Sequence, residues 1–553
     1  MKIMNMYLSK LYVIISLIIL LAGCDYLDYN DNDYYTQEDT FNDFQRTKNF
    51  LTGIYSLLPE GFNSVGGAMR ASASDDAEEI FTGSAVQQFN DGSWSSINSI
   101  DARWGASYEG IRAANIFLEH FNLENYEDLR FNDDYENLMK EAGLFPLQAR
   151  FLRAFFYYDL LRRYGDVPLI TNVLTLDQTN LVEQTPFQGI VDFIVNECDA
   201  IIPELPESYD SVPNKERGRT TRGAAMALKS RVLLLAASPL HNPDGIIEPW
   251  IKAARAAKDV IDLGVYKVIS KYSNIANNRN SLEVIFERRL DASNLFERSN
   301  FPIGFEGANP GTAPTQNLID AFEMEATGLG IEDPDSGYDP FNPYEGRDPR
   351  LYETVIINNS MWKGRPVEIW KDGRDGPPQE RATVTGYYLK KQVIENVSLD
   401  PNNTTQAIHT WIFFRYGGIL LDYAEAMNEA YGPYNPADLG LTASQAVNQL
   451  RSRVDMPDFP TDMTKESFRQ KLRNERRVEL AFEDHRFWDI RRWKIGPSTT
   501  DIYGMEITKN ENGTFNYTRK LVEKRIWDDR MYFYPIPQNE VFVNENLEQS
   551  SGW

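Results

Sequence analysis

Two cysteines, four histidines and 81 acidic residues are the groups of this 553-residue chain with the most obvious capacity for chemistry. Cys198 lies among Ile190, Val191, Ile194, Ile201 and Ile202 at helical spacing, the surroundings of a buried, inert core thiol rather than a nucleophile. His120, His241, His409 and His485 have no metal-ligand spacing, and no His-Glu-x-x-His pattern occurs. His485 falls within a helical run and reads as a packing or capping residue. Neither a Gly-x-Ser-x-Gly elbow nor a phosphate-cradling glycine loop is present. A glycosidase needs only two carboxylates at the right separation, and 81 acids neither exclude nor specify such a pair. Asp333, Asp335 and Asp339 flank Ser336-Gly337 loosely like a calcium loop, but without the bidentate Glu that would complete it. The expectation is a non-enzyme without a cofactor, with calcium at that loop as the one open metal reading.

Cys24 stands apart from this inventory. Lys2 and Lys10 precede an apolar run, Leu11 to Leu20, and then Leu21-Ala22-Gly23-Cys24. The run is about a dozen residues, whereas a bilayer-spanning helix needs about 20. The order of charged, apolar and small residues therefore reads as a secretion signal. The small pair before a cysteine resembles the bacterial lipobox, which implies cleavage before Cys24 and acylation of its sulfur; an ordinary cleavage site beside a chance cysteine is the alternative. Acylation of Cys24 would leave Cys198 without a disulfide partner. Asp25, Asp28, Asp31 and Asp33 follow, resembling the surface-export signal of Bacteroidota lipoproteins or serving simply as a solvated tether. The net charge of -25 disfavours sequence-blind nucleic-acid binding and attraction to anionic membranes. Membrane attachment would then come from lipid, and one acyl chain alone is marginal.

Hydrophobic content of 42% with 12% aromatics is that of a folded globular chain. Helical stripes dominate. They run through Ala149, Leu152, Phe156, Leu160 and Tyr164, stopped by Gly165, and through Ala225, Leu228, Val232, Leu235 and Ala236, stopped at Ser238-Pro239. Others are Ala253, Ala254, Ala257, Val260 and Ile261 with Gly264 as a cap; Leu420, Tyr423, Ala424, Met427 and Tyr431 before Gly432-Pro433; Ala446, Val447, Leu450 and Val454; and a last run from Phe468 to Trp488. Small residues on one face and large ones on the other predict closely paired helices of tetratricopeptide-like character, without a clean repeat. From about 266 to 410 the chain is rich in Gly, Pro, Asn and Asp, as in Asp372-Gly373-Arg374-Asp375-Gly376-Pro377-Pro378. Short strands are expected there at Leu282–Phe286 and Leu351–Ile357. The predicted architecture is mainly α. Residues 1–23 are read as a signal peptide, 24–40 as a lipidated tether and 41–553 as one domain. Within it, 41–265 and 411–553 form the helical scaffold, and 266–410 form a loop-rich, ligand-binding insertion with short strands.

Gln148–Leu169 (QARFLRAFFYYDLLRRYGDVPL) resembles the signature helix of the SusD/RagB family, the nutrient-binding outer-membrane lipoproteins of Bacteroidota. Arg222-Gly223-Ala224-Ala225-Met226-Ala227-Leu228, Ala237-Ser238-Pro239, Glu283-Val284-Ile285-Phe286, Arg347-Asp348-Pro349-Arg350, Asn474–Glu483, Arg486-Phe487-Trp488-Asp489 and Pro535-Ile536-Pro537 match in family order. The closing Ser550-Ser551-Gly552-Trp553 departs from the family's Asn-Pro-Gly-Trp. The resemblance implies a cell-surface lipoprotein that captures oligosaccharides and delivers them to a SusC-like TonB-dependent transporter. A peptide ligand of the RagB kind and a surface glycoside hydrolase stay open beside it. By position, Arg70–Asn98 matches part of the family's glycan face. Trp94 is expected there as a stacking platform, with Arg70, Asp75 and Asp76 as polar partners. Tyr338, Trp362 and Trp370 lead the aromatic candidates of the central loops. The charged residues of the motifs read as structural: Asp159 and Arg163, four apart, can pair along one helix, and Glu475, Arg476, Glu479 and Arg486 crowd another.

Overall fold

A computed structural model describes residues 35–212, 215–277 and 281–553. Cys24, the apolar run before it and the acidic stretch after it lie outside the described residues. We label the principal helices α1 (Phe44–Ser56), α2 (Trp104–His120), α3 (Phe145–Tyr164), α4 (Phe187–Ile201), α5 (Arg222–Ala237), α6 (Ile247–Asp262), α7 (Tyr416–Tyr431), α8 (Ala443–Arg453), α9 (Lys465–Glu479), α10 (Arg486–Arg492) and α11 (Gln538–Val543). The apolar stripes at Ala149–Tyr164, Ala225–Ala236, Ala253–Ile261 and Leu420–Tyr431 each fall on one of them. α2 packs on α3, α3 on α4, α4 on α5, α5 on α6 and α6 on α7, and α7 carries both α8 and α9. The helical stack is therefore continuous in space across a break of about 150 residues in sequence. Ala253, Ala254 and Ala257 of α6 let it approach α7, where Leu420, Tyr423 and Ala424 are fully buried. Gly110 does the same between α2 and α3: a Cβ there would lie 2.4 Å from the Phe156 ring.

Helix ends follow local chemistry. Thr221 and Thr464 accept N–H bonds at the starts of α5 and α9, and Thr442 forms a reciprocal capping box at α8. Gly165 and Gly432, with φ of +74° and +85°, end α3 and α7. The run from Phe468 to Trp488 is not one helix. Phe482 and Asp484 take left-handed φ of +59° and +62°, which breaks it between α9 and α10 and turns Asp484 toward Arg70.

The segment 266–410 is less loop-like than its composition predicts. Strand β2 (Val284–Ser293) pairs antiparallel with β4 (Ala407–Arg415), so the segment leaves and re-enters the stack along a single ladder. Shorter strands β1 (Ala77–Glu79) and β3 (Thr312–Pro314) pair with each other, and β5 (Asp501–Lys509) with β6 (Phe515–Lys524) in a long hairpin. Leu351–Ile357, expected as a strand, divides into a short helix, Arg350–Thr354, and two strand residues, Val355–Ile356. Asp348 accepts the Arg350 N–H (2.9 Å) and favours the helical turn. Phe301, Trp362, Val367, Tyr387, Tyr388 and Leu389 form a second hydrophobic core, separate from the large core of the stack. The aromatic loops face inward and hold the insertion together.

The two cores are joined by buried charge. Glu479 of α9 accepts Arg415 Nη1 (2.8 Å), Arg350 Nη1 (2.9 Å) and Arg453 Nη2 (2.5 Å). Glu475, one turn earlier, takes Arg350 (2.5 Å) and Arg451 (2.7 Å), and Glu483 takes Arg415 and Lys391, each at 2.6 Å. Burial works against the charge on Glu479, but Arg453, Arg415 and Arg350 outweigh it and hold the carboxyl well below the usual carboxylate range. Replacing Glu479→Gln leaves these buried guanidinium groups one anion short. Urea unfolding is expected to show a loss of about 3–5 kcal/mol, whereas Arg255→Gln, which opens the exposed Arg255–Asp438 pair, leaves the unfolding midpoint essentially unchanged.

Candidate functional site

Five of the seven binding residues expected from the sequence lie inside the protein. Trp94 is 1% exposed, edge-on to Phe89, Tyr534 and Trp553 at centroid distances of 4.7, 5.1 and 4.6 Å. It presents no ring face to solvent and is corrected from stacking platform to core. Arg70 is buried in a bidentate pair with Asp101 (3.0 and 2.9 Å) and reaches Asp484 at 2.5 Å. Asp75 is held by Arg486 (2.7 and 2.8 Å) and by Arg477 (3.0 Å), and Asp76 by Arg477 (2.6 Å). Burial alone would raise the Asp75 carboxyl, but Arg477 and Arg486 hold it below the ordinary range. These three polar residues tie the 70–76 segment to Asp101, to α9, to the turn after it and to α10. Trp362, 2% exposed, packs edge-on to Phe301 within the second core. Asp333, Asp335 and Asp339 do not converge: Asp333 accepts the Asp335 N–H and Asp339 the Phe341 N–H, each at 2.9 Å. Among the described residues no group of acidic, His or Cys side chains is placed to hold a metal ion, so the calcium reading is corrected too.

Trp370 and Tyr338 keep part of their rings at the surface. Tyr338 lies under the Arg347 guanidinium, 5.5 Å from the ring centroid. Trp370 is flanked by Phe515 of β6 (centroids 5.1 Å apart) and by Lys509 Nζ of β5, 4.4 Å above its ring. The loop carrying Trp370 is fixed to β5 at both ends: Lys371 N donates to Ile507 O and Met505 N to Thr385 O, each at 2.8 Å. Between these anchors the loop presents Arg381, whose guanidinium lies 4.5 Å from the Phe81 ring centroid. Phe81 is 46% exposed and stands two residues after the end of β1. The segment Arg70–Asn98 thus does offer an aromatic surface, but through Phe81 rather than Trp94. The composition Phe81-Thr82-Gly83-Ser84 was a usable signal for an exposed turn, yet Asp91-Gly92-Ser93-Trp94 carries the same signal and is buried.

Two ledges result, Phe81–Arg381 and Trp370–Phe515–Lys509, each an apolar ring with a cation set over one of its faces. A ring face bears apolar C–H surfaces, and a guanidinium or ammonium donates to hydroxyl oxygens. Cys198 is buried, with its thiol pushed up by burial, and His241 is stacked on Phe187 at 3.7 Å, burial lowering it to about 3. Glu79 lies beneath the first ledge, where burial pushes its carboxyl up to about 7, the Phe81 N–H and Arg381 opposing only in part.

Residues 282–553 match the model of the SusD family, and residues 25–234 match a model described as starch-binding, associating with outer membrane. A SusD-like protein from Formosa agariphila is 23% identical over 563 residues, spanning 96% of this chain and 97% of the relative. A solved SusD-like protein from Bacteroides fragilis superposes with a TM-score of 0.76 at 28% identity, over 93% of this chain and 98% of that one. A second structure from that organism, a SusD-like carbohydrate-binding protein, gives 0.74 at 25% identity, over 92% and 100%. No helix among the described residues is long and apolar enough to cross a membrane.

The raised Glu79 carboxyl makes stability depend on pH. The folded state keeps this proton between the ordinary value of 4.5 and about 7, while the unfolded chain releases it. Stability from Glu79 is therefore fully present below about pH 4.5 and is lost as pH rises through 7. Denaturant unfolding at pH 5 and at pH 8 is expected to show a drop that shrinks by about 2 kcal/mol in Glu79→Gln.

Proposed function

The chain is a SusD-like family protein, and on that premise we propose that it captures oligosaccharides outside the cell and delivers them to a SusC-like TonB-dependent transporter, anchored to the outer membrane by lipid on Cys24 and breaking no bond itself. The observation that carries the ligand class is the pair of exposed ring-and-cation ledges on one doubly anchored loop and its neighbours, Phe81 with Arg381 and Trp370 with Phe515 and Lys509. A pyranose covers such a ring with its C–H face while its hydroxyls meet the cation. At about 25 cal/mol per Å² and roughly 80 Å² per stacked ring, each ledge contributes about 2 kcal/mol. Two ledges, less the cost of ordering the sugar, give binding in the micromolar to millimolar range. That range suits a protein that must pass its cargo on. The fold supports the same reading: a loop tied at Lys371 and Thr385 holds its side chains without a further ordering cost on binding.

Affinity electrophoresis through a panel of neutral and charged glycans tests this. At least one glycan is expected to retard the protein without being degraded. Phe81→Ala and Trp370→Ala should each weaken that retardation about tenfold or more with the melting temperature unchanged. Trp94→Ala should instead lower stability by about 3–5 kcal/mol, because it empties a core position. Peptide found with the purified protein in place of sugar, or release of new reducing ends from a glycan, would replace this reading.

A further inference from the structure

Where the insertion meets the helical stack, a cavity of about 270 Å³ opens between Tyr272, which follows α6, Ile412 of β4, Glu483 in the turn after α9, and the loop 390–396. It shares no residue with the two ledges. Trp362 stands in its wall. The ring is 2% exposed and edge-on to Phe301, which closes it as a stacking platform, yet its indole Nε1 has no hydrogen-bond partner among the described residues. Gln392 lines the same cavity, 7% exposed, and its Oε1 has no partner among them either. A buried donor and a buried acceptor left unpaired each cost free energy, and native proteins keep few of them. Gln392 is also held at a left-handed φ of +67°, a conformation that a residue of its type keeps only when the surrounding structure imposes it. The charges around the cavity, by contrast, are matched. Lys391 Nζ donates to Tyr272 Oη (2.5 Å) and to Glu483 (2.6 Å), and Lys390 Nζ lies 3.8 Å from Glu353. Glu395 accepts the Lys363 N–H (2.6 Å).

We propose that this cavity is a second ligand site, which takes one neutral sugar ring. A hydroxyl donates and accepts at once, so neighbouring hydroxyls of one pyranose accept from the Trp362 N–H and donate to the Gln392 amide oxygen. Tyr272, Val393 and Ile412 offer apolar wall to its C–H groups. Matched charges leave no excess cation to hold a carboxylate or a sulfate, which selects against an acidic sugar. The size agrees: the cavity equals the volume of about nine waters at roughly 30 Å³ each, room for a ring and not for a chain. The walls come from the insertion, from β4 and from the turn after α9. A bound ring therefore bridges the same parts that the buried charges around Glu479 orient, and it stabilises the folded state.

Calorimetric titration and thermal melting of the full mature protein with glucose, galactose, mannose, xylose and glucuronate test this. At least one neutral sugar is expected to bind in the micromolar to millimolar range. At about a hundred times its dissociation constant it should raise the melting temperature by about 2–3 °C. Glucuronate should bind at least tenfold more weakly than the best neutral sugar. Trp362→Phe keeps a ring and removes the N–H, and Gln392→Met keeps the length and removes the amide. Each should weaken the sugar at least tenfold, with the rise in melting temperature measured from that variant's own unliganded value, which separates lost binding from lost stability. Phe81→Ala and Trp370→Ala should leave the response intact, and glycan retardation should survive Trp362→Phe, so this site and the ledges stand or fall separately. No binding of any neutral sugar in the panel, undiminished binding by both Trp362→Phe and Gln392→Met, or tighter binding of glucuronate would each overturn the proposal.

Discussion

Three guanidinium groups from three parts of the chain converge on the Glu479 carboxylate, and the placement of nearly everything else follows from that convergence. Arg350 comes from the insertion, Arg415 from the end of β4, and Arg453 from α8. Water is excluded from the group, so the charges must satisfy one another; removing one leaves its partners buried and uncompensated. Glu283, Glu475 and Glu483 extend the network by sharing the same arginines. Such a network adds little net stability over an apolar core of equal volume. What it does fix is orientation, since a guanidinium has a set geometry and three of them on one carboxylate admit few arrangements. The insertion is held to the helical stack in one pose, and the surface loops inherit that pose.

The same logic recurs toward the surface that bears the two ledges. Arg477 and Arg486 hold Asp75 and Asp76, which fixes the start of the segment leading into β1 and Phe81. β1 pairs with β3 of the insertion, so one exposed ring stands between the stack and the insertion. Trp370 reaches its place by another route, through main-chain bonds to the β5–β6 hairpin near the end of the chain. Three distant stretches of sequence thus meet at the surface, each set by an interaction buried beneath it.

The helical stack was legible in the sequence because a period of 3.6 residues reports which face of a helix is buried. The stripes at Ala149–Tyr164, Ala225–Ala236, Ala253–Ile261 and Leu420–Tyr431 each coincide with a helix. The SusD-like motifs were legible in another way, as a likeness of residue order to a known family, which no period supplies. The exposed ledges were not. Trp94 and Phe81 both lie in short turns rich in Gly and Ser, and no local period distinguishes a ring that turns inward from one that turns out. What buries Trp94 is Tyr534 and Trp553, more than 400 residues away, and what occupies Arg70 is Asp484, at a similar distance. Trp362 was drawn into the second core by Phe301. The break between α9 and α10 was not legible because Phe482 continues the apolar run while its backbone takes a left-handed φ that its residue type does not announce. Polar residues that suit a ligand also suit a buried ion pair, and composition alone does not choose between them.

The insertion leaves the stack after α6 and returns at α7, its two ends running side by side in the β2–β4 ladder while α6 and α7 touch directly. Since the ends are already together, lengthening or shortening what lies between them changes loop-closure entropy only slowly. The molecule is organised like a chassis with one socket. A change in the length of the insertion therefore leaves the contact between α6 and α7, and with it the framework, in place.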